Sequence, residues 1–193
     1  MTTARKRSRT LAGRIAVRCG LARVARFHSD QSGATAVEFS LVALPFIAIM
    51  FAIIETALTF FAGQALETAV SNSARLIRTG QAQEQSFDAA EFKDKICDQV
   101  FELFNCEAGL RLDVRKFSSF DTIDLSWPLN PDGTLKTDGY VFEPGNGGDI
   151  VVVRAFYEWP VIVNQLGTNL SNVGSGKHLL AATAAFRNEP FPW

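Results

Sequence analysis

A single carboxylate lies where a basic N-terminal segment meets a long uncharged run. The junction reads Gln31-Ser-Gly-Ala-Thr-Ala-Val-Glu-Phe39, with Glu38 five residues after Gly33. An ionised carboxylate at the edge of hydrocarbon is costly, so Glu38 is a candidate functional residue. The alternative is a helix start, in which Ser32 or Thr35 caps the first turn and Glu38 interacts with the helix dipole. The flanking segments favour the functional interpretation.

The net charge of −1 conceals a strong asymmetry along the 193 residues. Residues 1–33 carry eight Lys or Arg and one acid, which gives +7, whereas the other 160 carry 11 basic and 19 acidic groups. A basic arm can bind nucleic acid, but a basic arm beside an apolar segment typically keeps its end of the chain in the cytoplasm. We therefore predict a cytoplasmic leader at 1–33, an exported remainder and no nucleic-acid partner.

The uncharged run Phe39–Ile54 contains 16 residues, or about 24 Å of helix. Its flanks extend it beyond the roughly 20 residues that a bilayer requires, which predicts one transmembrane helix at 34–63. The alternative is a Sec-type signal peptide with a small-residue exit at Gly63-Gln-Ala65, which would release a soluble binding protein. Against it, the basic region is long and the apolar stretch continues into an amphipathic helix.

The segment 64–80 is predicted to extend the membrane helix as an amphipathic rod that ends at Gly80. A polar linker, Gln81–Gln85, should follow and lead into an exported domain at 81–193. The face of the rod that is expected to be buried consists of Leu66, Ala69, Val70, Ser73, Leu76 and Ile77. The opposite, polar face consists of Glu67, Ser71, Arg75 and Arg78.

The exported domain is predicted to combine a second helix with strands. Asp88 and Glu91 form a capping-box pattern, followed by the apolar stripe Phe92, Ile96, Val100, Leu103 and Phe104. Alternation or apolar character predicts strands at Leu110–Arg115, Ile150–Trp159 and His178–Arg187, with Ile150–Trp159 central and covered on both faces. The expected fold class is α+β: a long N-terminal helix packed on a short helix and an antiparallel sheet, as in pilins.

The three cysteines fall into different compartments in this topology. Cys19 lies in the cytoplasmic leader and should stay reduced, whereas Cys97 and Cys106 lie in the exported part, where a disulfide persists. One continuous helix would separate Cys97 and Cys106 by about 13 Å along its axis, too far for the roughly 4 to 7 Å between disulfide-linked Cα atoms. We therefore expect the second helix to end near Phe104, with Asn105 as its terminator.

The residue patterns of common catalytic and metal sites are missing from this sequence. His28 lies in the leader, which leaves His178 alone in the exported domain, and a metal site needs several ligands together. The sequence contains no Gly-x-Ser-x-Gly motif. We expect no cofactor and no catalysis, with a membrane-anchored exported enzyme as the alternative. Two acidic pairs are more simply explained as solvated turns: Asp121 with Asp124, and Glu107 with Asp113.

With these features the chain resembles the TadE-like family, the minor pseudopilins of tight-adherence (Flp-type) pilus systems. The most specific piece is Gly33-Ala-Thr-Ala-Val-Glu38-Phe39, which is similar to the Gly-x-x-x-x-Glu-[Tyr/Phe] processing site of Flp-type prepilins. Supporting pieces are Ala69-Val-Ser-Asn-Ser-Ala-Arg75 with Gly80, the pair Cys97 and Cys106, and Phe186-Arg-Asn-Glu-Pro-Phe191.

The resemblance implies that a prepilin peptidase cuts between Gly33 and Ala34, so that Glu38 becomes the fifth residue of the mature chain. It implies that Glu38 pairs with the N-terminal amine of a neighbouring subunit while the helices bundle. The implied partners are the inner membrane, the peptidase, other pilins or pseudopilins and pilus assembly proteins, with no small-molecule substrate. The expected location is the inner membrane with a periplasmic domain, or the pilus and cell surface after processing. The size of the domain argues against the main filament subunit.

Overall fold

The computed structural model describes residues 33–100, 105–162 and 170–191. The chain divides into two compact units, Met1–Ala48 and Ile49–Trp193. Most of the predicted leader, with Cys19 and His28, lies outside the described residues. In the first unit, the described residues form a turn at Gly33 followed by helix. The second unit contains the rest of that helix and every other element below.

Helix α1 spans Ala34–Arg78, 45 residues that include Pro45. The predicted stop, Gly80, follows two residues after the end of the helix and adopts a left-handed conformation with φ of 81°. A side chain at Gly80 would also meet the ring of Phe191 at 2.8 Å. Glycine is therefore required here both by the backbone and by packing.

The predicted polar linker is instead a short helix, α2, spanning Gln81–Glu84. Its first backbone bond runs from the N–H of Glu84 to the carbonyl of Gly80, at 2.9 Å. Ala82 is buried in the main core, and this tertiary contact overrides the polar character of its neighbours.

Helix α3 spans Ala89–Cys97 and begins with the expected capping box of Asp88 and Glu91. The prediction that this helix ends near Phe104 is wrong, because it ends at Cys97. Beyond that point the backbone bonds tighten, with the N–H of Gln99 donating to Ile96 and that of Val100 to Cys97. Hydrogen bonds of this 3₁₀ type, between residues three apart, tighten the last turn where the α-helix ends. The predicted stripe residues Leu103 and Phe104 lie outside the described residues.

A four-residue helix, α4, spans Cys106–Gly109 and leads into a three-stranded antiparallel sheet. The strands are β1 (Arg111–Phe117), β2 (Ile150–Trp159) and β3 (His178–Arg187), in the order β1-β2-β3. All three predicted strands are confirmed, with β1 running two residues beyond its predicted end. In register, Val114 lies opposite Val153 and Arg154 opposite Thr183. A 3₁₀ turn, Phe120–Thr122, follows β1.

The main core lies between one face of the sheet and the helices. Helix α1 contributes the predicted apolar face of its second half, and α3 contributes Phe92 and Ile96. Alternate residues of β2, namely Val151, Val153 and Ala155, pack against them. A smaller cluster on the opposite face of the sheet contains Phe156 of β2. Both faces of β2 are therefore covered, and the fold is α+β as predicted.

A buried ion cluster holds the long connection between β1 and β2 against the second face of the sheet. Asp113 is 1% exposed and accepts hydrogen bonds from Arg154 Nη2 at 2.7 Å and Arg115 Nε at 3.0 Å. Arg154 also donates to the carbonyls of Asp124 and Ser126. The two arginines therefore link the sheet to the backbone of the connection.

We expect Asp113→Ala to destabilise the domain by on the order of 3 kcal/mol, because Arg154 would remain largely buried without its carboxylate. Urea unfolding followed by circular dichroism measures the change. Asp138→Asn is the matched control, since Asp138 is exposed and exposed substitutions usually change stability by less than about 0.5 kcal/mol. Equal midpoints for the two variants would show that the cluster contributes nothing.

Candidate processing and assembly segment

The junction identified in the sequence becomes the start of helix α1. Gly33 occupies a turn directly before the helix, and its carbonyl accepts the N–H of Val37 at 3.1 Å. Thr35 lies inside the helix, which begins at Ala34, so its predicted role as an N-cap is wrong. Ser32, the other candidate cap, lies outside the described residues.

The identity of Gly33 is not explained by local structure. Its φ lies outside the left-handed region, and a Cβ added to it would meet none of the described residues within 4 Å. The described part of the structure therefore does not exclude a small side chain from this turn. This differs from Gly80, where both the backbone and the Phe191 ring exclude a side chain.

Glu38 and Phe39 are exposed on the first turns of the helix, with Phe39 72% exposed. Among the described residues, Glu38 takes part in no ion pair. The following helix residues form a long apolar surface that is also exposed. An 18-residue window within α1 is long and apolar enough to cross a membrane, and none of that window is buried. Such a surface needs an apolar environment or partner.

The second half of helix α1 has two different faces, as the sequence predicted. Leu66, Ala69, Val70, Ser73 and Ile77 are buried. The polar residues Glu67, Ser71, Arg75 and Arg78 are exposed on the other side. Arg78 also pairs with Glu189 at 3.6 Å, and its carbonyl accepts the N–H of Glu189 at 2.9 Å. These contacts attach the C-terminal segment to the end of the helix.

Cys97 and Cys106 lie at disulfide distance, with their Cα atoms 5.7 Å apart. The separation is reached because α3 stops at Cys97 and the chain returns into α4, which begins at Cys106. The backbone N–H of Asn105 donates to the hydroxyl of Tyr157 at 3.2 Å. The return is thus attached to the central strand, and not only to the sulfur pair.

The structure shows the contacts of three of the four paired acids. The Ser119 hydroxyl lowers the pKa of exposed Asp121, and the backbone N–H and hydroxyl of Ser126 lower the pKa of exposed Asp124. A general acid at neutral pH needs the opposite shift. The carboxylate of Asp113 is paired with Arg115 and Arg154. The side chain of Glu107 lies outside the described part of the structure. Within the described ranges, no group of three His, Cys, Asp or Glu side chains could hold a metal ion.

Glu55 is a buried acid whose contact the sequence did not reveal. It is 7% exposed, and its carboxylate accepts the backbone N–H of Ile162. Its position at the end of the apolar run was visible in the sequence. Its partner, 107 residues away, was not, because no local pattern links a helix acid to a distant backbone N–H.

A family model described as TadE-like protein matches residues 33–75. This segment of the chain resembles the TadE-like family. The match confirms the resemblance inferred from the junction, and it covers Gly33, Glu38, the exposed apolar surface and most of the amphipathic extension. No curated protein and no solved structure matches the chain. The match indicates a component associated with the Tad pilus, and among the residues that the structure describes one helix, near the N-terminus, is compatible with membrane anchoring.

A disulfide between Cys97 and Cys106 should stabilise the domain that contains them. In the entropic model, closing a loop of about ten residues restricts the unfolded chain by roughly 2 to 3 kcal/mol. We therefore expect Cys97→Ser to lower the thermal midpoint, and the Cys97→Ser/Cys106→Ser double mutant to match the single mutant because each breaks the same bond.

Thiol labelling under denaturing, non-reducing conditions tests the bond directly. In a Cys19→Ser background, the purified chain should contain no reactive thiol before reduction and two afterwards. Two reactive thiols before reduction would contradict the disulfide.

Proposed function

We propose that this TadE-like chain is a pseudopilin-like component of a tight-adherence pilus assembly system, and that it is cleaved by a prepilin peptidase after Gly33. The observation that carries this proposal is the combination of Gly33, Glu38 and an uncovered apolar helix within the matched segment. The chain acts in pilus biogenesis and surface adherence together with other pilins and assembly proteins, and it performs no catalysis itself.

The glycine supports processing because the turn does not require it. A peptidase acting at the cytoplasmic face needs access to an unobstructed bond just outside the membrane, and none of the described residues lies within 4 Å of a side chain added at Gly33. Cleavage there removes the leader with its net charge of +7. It also creates a free amine at Ala34.

The new amine would lie one helical turn from Glu38, since residues four apart share a helix face. In an isolated subunit this amine can neutralise Glu38. In an assembly, the amine of a neighbouring subunit replaces it. Because an unpaired charge in apolar surroundings is expensive, the pairing sets the register between helices more than it adds net stability.

The buried positions on helix α1 argue against Sec processing at Ala65. Glu55, Thr59 and Ala62 are buried within the second unit. A cut before Leu66 would remove all three residues and expose the groups of the domain that they contact. The exported domain thus depends on helix residues that a signal peptidase would discard, and a periplasmic domain anchored by the same helix fits better.

The first test is the mature N-terminus. Intact-mass analysis of membrane-extracted protein, from cells with an active prepilin peptidase, should give a chain that begins at Ala34. Gly33→Leu should remain full length, because the peptidase requires glycine before the cut. Full-length wild-type protein would contradict the proposal, and a chain beginning at Leu66 would establish Sec processing.

The second test separates processing from assembly. Glu38→Ala should insert and be cleaved, since removing a charge from the apolar edge eases insertion, but it should fail to support pilus formation. Glu38→Asp keeps the charge on a shorter side chain and should retain part of that activity. Electron microscopy counts the pili, and normal piliation by Glu38→Ala would assign Glu38 to helix initiation alone.

A further inference from the structure

Two large side chains far apart in sequence are exposed on the exported domain near Glu55. Ile162 is 85% exposed, and its backbone N–H donates to Glu55. Trp127 is 45% exposed and lines a hollow of about 340 Å³ together with Thr56 and Phe60. Phe60 is itself exposed. Trp127 and Phe60 thus share one hollow beside the helix, and Ile162 is exposed where its loop contacts Glu55, next to Thr56 of that hollow.

The length of the apolar run places this level at the edge of a bilayer. Phe39–Ile54 supplies 16 uncharged residues, and a bilayer needs roughly 20. Residues just before or just after the run must therefore complete the span. In either case Glu55, the first charge after the run, lies at or near the boundary between hydrocarbon and headgroups.

The domain packs against helix α1 from Glu55 onward, with no linker between the apolar run and the first buried helix residue. Glu55 is buried, and Thr59 and Ala62 follow it on the buried face of the helix. The Thr59 hydroxyl donates to the carbonyl of Glu55 at 2.9 Å. With helix and domain joined from Glu55 onward, the loops that carry Ile162 and Trp127 cannot move far from the membrane surface.

We infer that Ile162 and Trp127, together with Phe60, form a membrane-contacting surface that seats the exported domain on the outer leaflet of the bilayer. This inference rests on the proposed membrane anchoring. Tryptophan is enriched at membrane interfaces because its ring is apolar and its N–H is polar, and an exposed isoleucine beside it can enter the acyl boundary. The occupant is lipid because the surface is continuous with the spanning helix.

The experiment measures the lipid contact in the full-length chain. A Cys19→Ser background leaves no free thiol outside the Cys97 and Cys106 pair. Ile162→Cys is labelled with a fluorophore whose emission shifts in apolar surroundings. The labelled chain is placed in vesicles of phosphatidylethanolamine and phosphatidylglycerol that contain lipid with a nitroxide high on the acyl chain.

The control label is placed at the opposite end of the sheet. Ser118→Cys follows Phe117, which pairs with Ile150 at the start of β2, whereas Ile162 lies beyond the end of that strand. We expect blue-shifted emission and several-fold stronger nitroxide quenching at position 162 than at 118. Equal, water-like emission at the two positions would overturn the contact.

A second comparison tests whether Glu55 holds the loop in place. Glu55→Gln keeps an oxygen that accepts the Ile162 N–H, whereas Glu55→Leu removes it. Quenching at position 162 should persist in the glutamine variant and fall in the leucine variant. Equal quenching in the two variants would show that Glu55 does not position the loop that carries Ile162.

The remaining outcomes distinguish this inference from the proposed function. If an alkaline wash removes the wild-type chain from the vesicles, membrane anchoring and the contact are both wrong. If the chain remains while the label at 162 is in water, only the contact is wrong. A blue shift that rises with protein density without nitroxide quenching would identify a second subunit as the occupant and overturn the lipid assignment.

Discussion

The change in pattern along helix α1 at Glu55 is the constraint on which the rest of the structure depends. Before Glu55 the helix is largely apolar and exposed. From Glu55 onward one face is buried, while the opposite face stays apolar as far as Phe61 and becomes polar from Gln64. Leu66 and Ile77, both almost fully buried, complete the core of the domain. The domain cannot bury its sheet without this helix, so the element with the properties of a membrane span is also part of the fold.

The sheet imposes a second requirement, because β2 is apolar on both faces. The helices cover one face, and the long connection between β1 and β2 covers part of the other, where Phe156 lies in the smaller cluster. This connection has little regular structure, so it needs fixed attachment points. The ion cluster of Asp113, Arg115 and Arg154 supplies them, since its arginines bond to backbone carbonyls of the connection. A buried ion pair adds little net stability but selects one arrangement of loop and sheet.

Sequence patterns predicted the features set by local chemistry. The alternation of apolar and polar residues predicted β1, and continuous apolar character predicted β2. The capping box of Asp88 and Glu91 predicted the start of α3. The end of α3 and the helical turn α2 were not predicted, because each depends on distant packing around residues such as Ala82. The contact of Glu55 with Ile162 and the arginines around Asp113 join residues far apart in sequence. Neither contact leaves a periodic signal.

The two glycines at the ends of helix α1 show how fold requirements separate from functional ones. Gly80 is required by a positive φ and by the Phe191 ring, so structure alone explains it. Gly33 has neither constraint, and Glu38 has no ion-pair partner among the described residues. Residues that the fold does not explain are the ones on which function is expected to depend. Both residues lie within the TadE-like match, five positions apart. An enzyme that cuts the chain would need Gly33, and a neighbouring subunit that pairs with the new end would need Glu38.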